Sequence, residues 1–330
     1  MPKAVKKPRK KVIQPKKAFE RRAVELQRKK QPEKPSPILL WVAILLMIVV
    51  YTVHANQMEA EKDYVALPPI PDEIFEKAEG VTYVGTVNKP SGVYIKNSLD
   101  FIVPSNIARL VIIIDDLGYI SSANRRLARL KGPLTLSYLP YADNLQPQVN
   151  AAIGAGHEIM VHIPMAPHRE DADPGPHSLL ANMSKKDFQR ELSWNLNRFK
   201  GYAGVNNHMG SLLTEETKEM TWLMEHLKKE NLMFLDSRTT TKSVAYDVAK
   251  EMGLPTLNRD VFIDNNRTIN QITAQLDYAK NIALENGYAI AIGHPYEETL
   301  DALEVWLKTL DKSMIALVPL SAVMKEHYQK

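Results

Sequence analysis

The chain of 330 residues contains no cysteine. This absence excludes disulfides, Cys-ligated zinc sites, iron–sulfur clusters and thiol catalysis, so any metal must be bound by His and carboxylate side chains. The sequence also has no GxGxxG, Walker, GxSxG or HExxH motif, which leaves nucleotide cofactors and serine hydrolysis without support. With 45% hydrophobic and 24% charged residues, the chain nevertheless has the composition of an ordinary globular protein with at least one full core.

Positive charge is concentrated at the amino terminus. Residues 1–34 carry 14 Lys and Arg against three Glu, which leaves 28 Lys and Arg against 35 Asp and Glu in the rest of the chain. The basic arm ends at an uncharged stretch, Pro35 to Met58, whose apolar core is Ile38 to Val53. Together with its flanks this stretch approaches the roughly 20 residues that cross a bilayer.

A nucleic-acid-binding tail or a buried core helix would be alternative interpretations, but a basic block directly beside an apolar stretch favours a membrane. We therefore predict a basic cytoplasmic arm at 1–35 and an uncleaved transmembrane signal anchor at 36–57. The positive-inside rule then predicts an inner (plasma) membrane protein with its carboxyl-terminal domain on the periplasmic or extracytoplasmic side, and no nucleic-acid partner.

The remaining sequence divides into a linker and a domain of more than 200 residues. Residues 58–106 alternate charged and Pro-containing pieces and are typical of a linker or stalk. From 107 to 330, short apolar runs alternate with amphipathic helical stretches, which predicts an α/β domain with a parallel sheet, most economically a (β/α) barrel. The runs are RLVIII, LTLSYL, EIMVHI, YAGV, LMFL, VFI, YAIAI and MIALVPL.

Polar residues follow five of these runs. They are Asp115 and Asp116, His162, Asn207 and His208, Asp236, and His294. Because the carboxyl ends of parallel strands meet at one edge of a sheet, we expect these side chains to converge there. Acids and imidazoles are also the residue types that hold a catalytic metal.

Each cluster has a plainer alternative. The acid pair 115–116 is also what a helix cap looks like, and the Asn-Asn-His run that ends at His208 is also what a turn looks like. Asp236 could form an ion pair with Arg238 at the rim, or hold a histidine in its charged form. His157 lies five residues before His162, so the two face opposite sides of a strand and His157 is predicted to be structural.

Other polar groups are weaker candidates. His168 and His177 lie in a polar loop and are expected at most at the rim. A short apolar run is flanked by Arg259-Asp260 and by Asp264-Asn265-Asn266. These residues are typical of turns. Asn207, in contrast, is expected to orient a ligand or to donate a hydrogen bond to an oxyanion.

At these residues the sequence resembles the divergent polysaccharide deacetylase family, a branch of the NodB-like carbohydrate esterases, over about Ile107 to Val323. VIIIDDLGY resembles the first motif of the family and GHEIMVHIPM the second. DSRT and IGHP resemble the fourth and fifth. The resemblance implies an irregular (β/α)7 barrel, with Asp115 as catalytic base and Asp116 as metal ligand.

The same resemblance implies the other site roles. His162 corresponds to the first metal-binding His of the second motif, but Ala166 stands where ordinary members have another His. His208, in NNHMGS, is available to replace it. Asp236 corresponds to an orienting acid and His294 to a proton donor.

The resulting hypothesis is a membrane-anchored hydrolase that deacetylates an envelope polysaccharide or glycan. It uses a divalent metal, expected to be Zn²⁺, bound by Asp116, His162 and His208. A non-catalytic envelope protein that binds a glycan or a protein on the same barrel is the alternative. A metal-free glycosidase would need Asp115 and Asp236 to face each other across a cleft, and it leaves three strand-end histidines without a role.

Overall fold

The computed structural model describes residues 82–83, 95–99 and 101–328. In chain order its strands are β1 (Thr82–Tyr83), β2 (Phe101–Ile102), β3 (Ala108–Leu117), β4 (Thr135–Tyr138), β5 (Glu158–Met165), β6 (Gly204–Met209), β7 (Met233–Asp236), β8 (Thr256–Asn258), β9 (Val261–Phe262), β10 (Tyr288–Gly293) and β11 (Ile315–Leu317). Its α-helices are α1 (Ser121–Leu127), α2 (Leu145–Gly154), α3 (Lys185–Leu196), α4 (Thr217–Lys229), α5 (Ala245–Glu251), α6 (Ile269–Asn286), α7 (Glu297–Trp306) and α8 (Leu320–Tyr328).

Nine strands form one sheet in the order β8-β7-β6-β5-β4-β3-β10-β9, with β11 paired to the start of β3. Every pairing in this sheet is parallel. The segment between β8 and β9 reaches both ends of the sheet: Arg259 donates its backbone N–H to Asp236, and Asp260 donates to Ile290. The predicted parallel α/β architecture is thus confirmed as a curled, half-barrel sheet.

Side chains alternate between the two faces of this sheet. On β5, Ile159 and Val161 pack outward into the core beneath the helices, whereas Met160 belongs to a second apolar cluster on the inner face. Because successive residues of a strand point to opposite sides, Glu158 and His162 share the inner face with Met160. The inner face is therefore polar at both ends of β5 and apolar in the middle.

The amino end of the inner face is closed by residues between 95 and 107 and by helix α8. Ile95, Val103 and Ile107 are buried in the inner cluster, together with Leu320 and Met324 of α8. The backbone N–H of Lys96 also donates to the carbonyl of Asn231. Residues 95, 103 and 107 therefore pack on the same core as the strands of the sheet.

Each of the eight predicted apolar runs contains a strand, but one strand of the sheet was not predicted. Strand β8 was absent from the predicted set. Helix α4 begins at Thr217, and the Thr214 hydroxyl shortly before it donates to the carbonyl of Gly210. Helix α3 is capped by Ser184, whose hydroxyl accepts from the N–H of Asp187.

The predicted anchor at 36–57, the basic arm at 1–35 and most of the predicted linker lie outside the described residues. Among the residues that are described, no helix combines the length and the apolar character needed to cross a bilayer.

Candidate metal centre and its surroundings

Two adjacent acids at the end of β3 point to different places. The pairing of β3 with β4 shifts register between Ile114 and Leu117, and Asp116 adopts a left-handed backbone with φ of 58°. Such a conformation is uncommon for a residue with a Cβ and is typical of functional sites. Both acids line the same pocket, but Asp115 is almost fully buried whereas Asp116 is partly exposed.

Asp116, His162 and His208 come together in space, as the sequence predicted. The Oδ1 atom of Asp116 lies 2.8 Å from Nδ1 of His208 and 3.3 Å from Nε2 of His162. Their three candidate ligand atoms all lie within 4.8 Å of one another. Despite these short distances, Oδ1 of Asp116 is buried and accepts no hydrogen bond of acceptable geometry.

This arrangement fits a cation. An oxygen and two ring nitrogens that are close together without being hydrogen-bonded can direct their lone pairs at a shared point. A set of one carboxylate and two imidazoles suits Zn²⁺ and leaves a coordination position open. Burial raises the pKa of Asp116, but the His162 and His208 rings outweigh that effect and hold it well below its usual range.

Asp115 lies directly behind this cluster. Both of its carboxylate oxygens accept from Nδ2 of Asn206, at 2.8 and 3.0 Å, and its Oδ2 is 3.7 Å from Nε2 of His162. Burial raises the pKa of Asp115, and the nearby histidines only partly offset this effect. A buried carboxylate with a raised pKa next to a cation site has the properties of a general base.

His294 approaches the cluster from β10. Its Nε2 is 3.9 Å from Oδ2 of Asp116, and its Nδ1 is 3.0 Å from Oδ1 of Asp264. Asp264 also accepts from the backbone N–H of His294 and from the Thr299 hydroxyl. Burial lowers the pKa of His294, but Asp264 reverses this effect and the net shift is upward. His294 is therefore held with one nitrogen toward the pocket.

The residue that orients His294 is Asp264, not Asp236. The Asp236 carboxylate accepts from the backbone N–H of Arg238 at 2.8 Å and from the Ser243 hydroxyl at 2.7 Å. Two residues before it, Phe234 packs in the outer core, and strand alternation places Asp236 on that same face. Asp236 thus braces the loop after β7, and it neither meets His294 nor pairs with the Arg238 guanidinium.

Asn207 lines the pocket, but its side-chain amide is already engaged. Its Nδ2 donates to the carbonyl of Met209 at 2.7 Å, and its Oδ1 accepts from the backbone N–H of Ser237 at 2.9 Å. The amide therefore ties the loop after β6 to the loop after β7. Orienting the rim is the role that this geometry supports for Asn207.

The pocket above the cluster has a volume of about 390 Å³. Besides the clustered acids and histidines, its lining includes Ser237, Arg238, Thr239, Arg259 and Phe262. Arg259 donates from Nε to the carbonyl of Ser237 and from Nη2 to the carbonyl of Arg238, so it holds the loop that forms this wall.

His157, His168 and His177 lie where the sequence predicted. His157 is buried on the outer face, where its Nδ1 accepts from the N–H of Leu134 and its Nε2 contacts the carbonyl of Leu127. His168 and His177 are in the loop after β5, paired with Glu215 and Glu191 respectively.

Sequence reasoning missed three residues of the site: Asn206, Asp264 and Arg259. Asp264 and Arg259 flank β9, which has only two residues and therefore no readable alternation. Asn206 had a usable signal, because it lies two residues before His208 and must share the inner face with it.

Comparisons with known proteins agree with this geometry. A sequence profile of the family described as "Divergent polysaccharide deacetylase" matches residues 112–324. An uncharacterized protein of Haemophilus influenzae is 33% identical over 209 residues, which is 63% of this chain and 74% of that protein. The uncharacterized protein YibQ of Escherichia coli K12 is 31% identical over 218 residues, which is 66% of this chain and 68% of YibQ.

A solved structure is also similar. The crystal structure of an uncharacterized protein from Agrobacterium tumefaciens C58 superposes with a TM-score of 0.64 at 28% sequence identity, covering 66% of this chain and 89% of that one. The family profile spans well over half of the chain. It includes strands β4 to β10 and all the site residues from Asp115 to His294. The chain belongs to the divergent polysaccharide deacetylase family.

Proposed function

We propose that this protein is a metal-dependent hydrolase that removes acetyl groups from an envelope glycan. The observation that supports this most directly is the meeting of Asp116, His162 and His208, with an unbonded buried oxygen at their centre, beside Asp115 and His294. A divalent cation in this donor set, Zn²⁺ in our proposal, supplies Lewis acidity that polarises an acyl carbonyl and activates a water.

The protein's own residues then handle the protons. Asp115, buried and held by Asn206, accepts the proton of the attacking water. His294, whose Nδ1 is held by Asp264, presents Nε2 to the pocket and donates a proton to the leaving amine or alcohol. Asn207 keeps the wall of the pocket in place. In the same proposal, the short strands β8 and β9 together occupy the seventh strand position of an irregular (β/α)7 barrel.

Location and substrate are further parts of the proposal. The uncharged stretch at 36–57 serves as a membrane anchor, with the basic arm in the cytoplasm and the glycan-processing domain on the outer side. A glycan of the cell envelope is the polymer that such an anchored domain meets.

A binding protein without catalysis is the second candidate, and Ala166 favours it. The second motif lacks its usual second histidine at this position. The backbone of Ala166 bonds to Leu179, Leu212 and Leu213, and its methyl side chain offers no ligand atom. If His208 does not replace that ligand, the pocket could still bind a glycan or a protein but would lack a complete metal site for hydrolysis.

Metal analysis of the full-length chain, purified without added metal or chelator, tests the proposal. Mass spectrometry on the parent, His162→Ala, His208→Ala and the matched control His226→Ala should find near-stoichiometric metal only in the parent and the control. His226 is a suitable control because it lies in the last turn of α4, away from the cluster.

Acetate release from an N-acetylglucosamine oligomer and from O-acetylated xylan then separates the two candidate functions. Turnover that depends on His208 supports the deacetylase. A parent chain that takes up no Zn²⁺ would reject it in favour of the binding protein, and metal retained in His208→Ala would reject the ligand set.

A further inference from the structure

Asn206 is fully buried, and its side-chain amide bonds to other side chains, including two that belong to the site, Asp115 and His162. Its Nδ2 lies 2.8 and 3.0 Å from the two oxygens of Asp115 and 3.2 Å from the Ser237 hydroxyl. Its Oδ1 lies 2.9 Å from Nδ1 of His162 and accepts from the Ser137 hydroxyl at 2.5 Å. It therefore contacts one residue expected to move a proton and one expected to bind a metal.

The direction of these bonds follows from chemistry. An ionised carboxylate only accepts hydrogen bonds, so the Asn206 amide must turn its NH₂ group toward Asp115. The amide oxygen then faces His162, and the nitrogen that it meets, Nδ1, must carry a hydrogen. With Nδ1 occupied in this way, Nε2 of His162 is the nitrogen left for Asp116 and a cation, 3.3 Å from Oδ1 of Asp116.

Asn195 shows how an ordinary buried asparagine is satisfied in the same molecule. It is as fully buried as Asn206, but its Nδ2 donates to the backbone carbonyls of His177 and Glu191. Such bonds stabilise a loop and a helix. Asn206 differs because its amide bonds to two side chains of the site, so removing it breaks the hydrogen-bonded link between Asp115 and His162 and leaves only their direct approach of 3.7 Å.

We propose that Asn206 is a positioning residue that links the general base Asp115 to the metal ligand His162 through one rigid, uncharged amide. Its NH₂ end aims the carboxylate, and its oxygen end fixes which ring nitrogen of His162 binds the metal. The inference rests on the proposed function for its catalytic half, whereas the hydrogen bond to His162 exists independently of any reaction.

Two substitutions at this position separate the two ends of the amide. Asn206→Asp keeps an acceptor for Nδ1–H of His162 but replaces the donor to Asp115 with a like charge. We expect its Zn²⁺ affinity to stay within about 10-fold of the parent while acetate release falls by about 10² or more. Asn206→Ala loses both ends, and its Zn²⁺ affinity should fall by about 10- to 100-fold.

The experiment compares the full-length parent, both variants and Asn195→Ala. Isothermal titration with Zn²⁺ measures affinity, and thermal unfolding measures stability. Proton NMR on ¹⁵N-histidine-labelled protein follows the protected Nδ1–H of His162, assigned by its loss in His162→Ala. Asn195→Ala should lose thermal stability while keeping the parent's Zn²⁺ affinity and the His162 signal.

The outcomes distinguish this inference from the proposed function. Asn206→Ala with the parent's Zn²⁺ affinity and an unchanged His162 N–H signal would overturn the positioning role and leave the metal site standing. Equal losses of metal affinity in Asn206→Asp and Asn206→Ala would also overturn it, since the two ends would not act separately. A parent without Zn²⁺ affinity would overturn the proposed function, and the N–H signal alone would then decide whether Asn206 holds His162.

Discussion

The two ends of the inner face of the sheet use the same kinds of residue for opposite purposes. At the amino end, Glu158 is buried under α8 and accepts the backbone N–H of Ser321 at 3.0 Å. At the carboxyl end, Asp115 and Asp116 are surrounded by side chains, Asn206 and three histidines. Glu158 bonds to the backbone and so fastens α8 to the sheet. Asp115 and Asp116 meet imidazoles beside a pocket, where they can bind a metal or transfer a proton.

The histidines repeat this contrast. His157 bonds two backbone groups and is satisfied as a neutral ring, because burial lowers its pKa to about 4. His162 lies five residues further along, meets two carboxylates and has a raised pKa, because their charges outweigh its burial. Burial is nearly the same at both positions, so the partners decide the role.

The largest effect that tests this contrast is expected from Asp115→Asn. The amide cannot accept a proton from water, so acetate release should fall by about 10³, within the range that a general base contributes. Zn²⁺ content should remain that of the parent, since Asp115 is not among the three clustered ligands. Steady-state kinetics and metal analysis on one preparation check both parts; loss of metal would place Asp115 among the ligands instead.

Asp264→Asn should have the next largest effect. The Asp264 carboxylate now accepts from the His294 ring, the His294 backbone N–H and the Thr299 hydroxyl. Asparagine has the same shape, but its NH₂ group would face one of these donors and could not accept from it. We expect kcat for acetate release to fall by about 10² with little change in KM, because His294 would be misoriented as an acid. Asp236→Asn is the comparison: a larger kcat loss there would return the orienting role to Asp236.

His157→Gln tests the amino half of the comparison through pH. The pKa of His157 is about 6.5 when unfolded and about 4 when folded, so the unfolded chain binds more protons between these values. The stabilisation by neutral His157 is complete above pH 6.5 and is lost as pH falls toward 4, by about 3 kcal/mol. Urea unfolding at pH 7 and pH 4 should show the parent's advantage over the variant shrinking by that amount.

Glu158→Gln should have the smallest effect. Burial raises the pKa of Glu158, so the folded state binds its proton more tightly than the unfolded chain does. The contribution of Glu158 to the free energy of unfolding therefore decreases as pH rises above about 4.5. Glutamine keeps the oxygen that accepts from Ser321 and cannot ionise. We expect the free energy of unfolding at pH 4 to stay within about 1 kcal/mol of the parent. At pH 8 the variant should be the more stable of the two by urea unfolding. A large loss at both values would mean that Glu158 is needed as an anion.

Prediction from sequence succeeded where a strand was long enough to show its pattern. The runs that became β3, β5 and β10 carried Asp115, His162 and His294 to one edge of the sheet, as expected. It failed at β8, which has three residues and was not predicted. Strand β9 was predicted but has only two residues, so Asp264 just after it looked like part of a turn. The orienting role of Asp236 also failed, because the resemblance to a family motif carries no information about which face the side chain takes.

The order of apolar runs and polar ends is a property of the sequence itself. Parallel strands with both faces covered need continuous aliphatic runs, and polar residues are tolerated only where such a run stops, so the edge that holds the site could be predicted. Which groups meet there was decided by the tertiary structure. The curl of the sheet brings Asp116 of β3 against His162 of β5 and His208 of β6, and alternation along each strand turns Asn206 inward and Asp236 outward. Alternation can be followed within one strand, but the contacts between different strands depend on distances that no local pattern encodes.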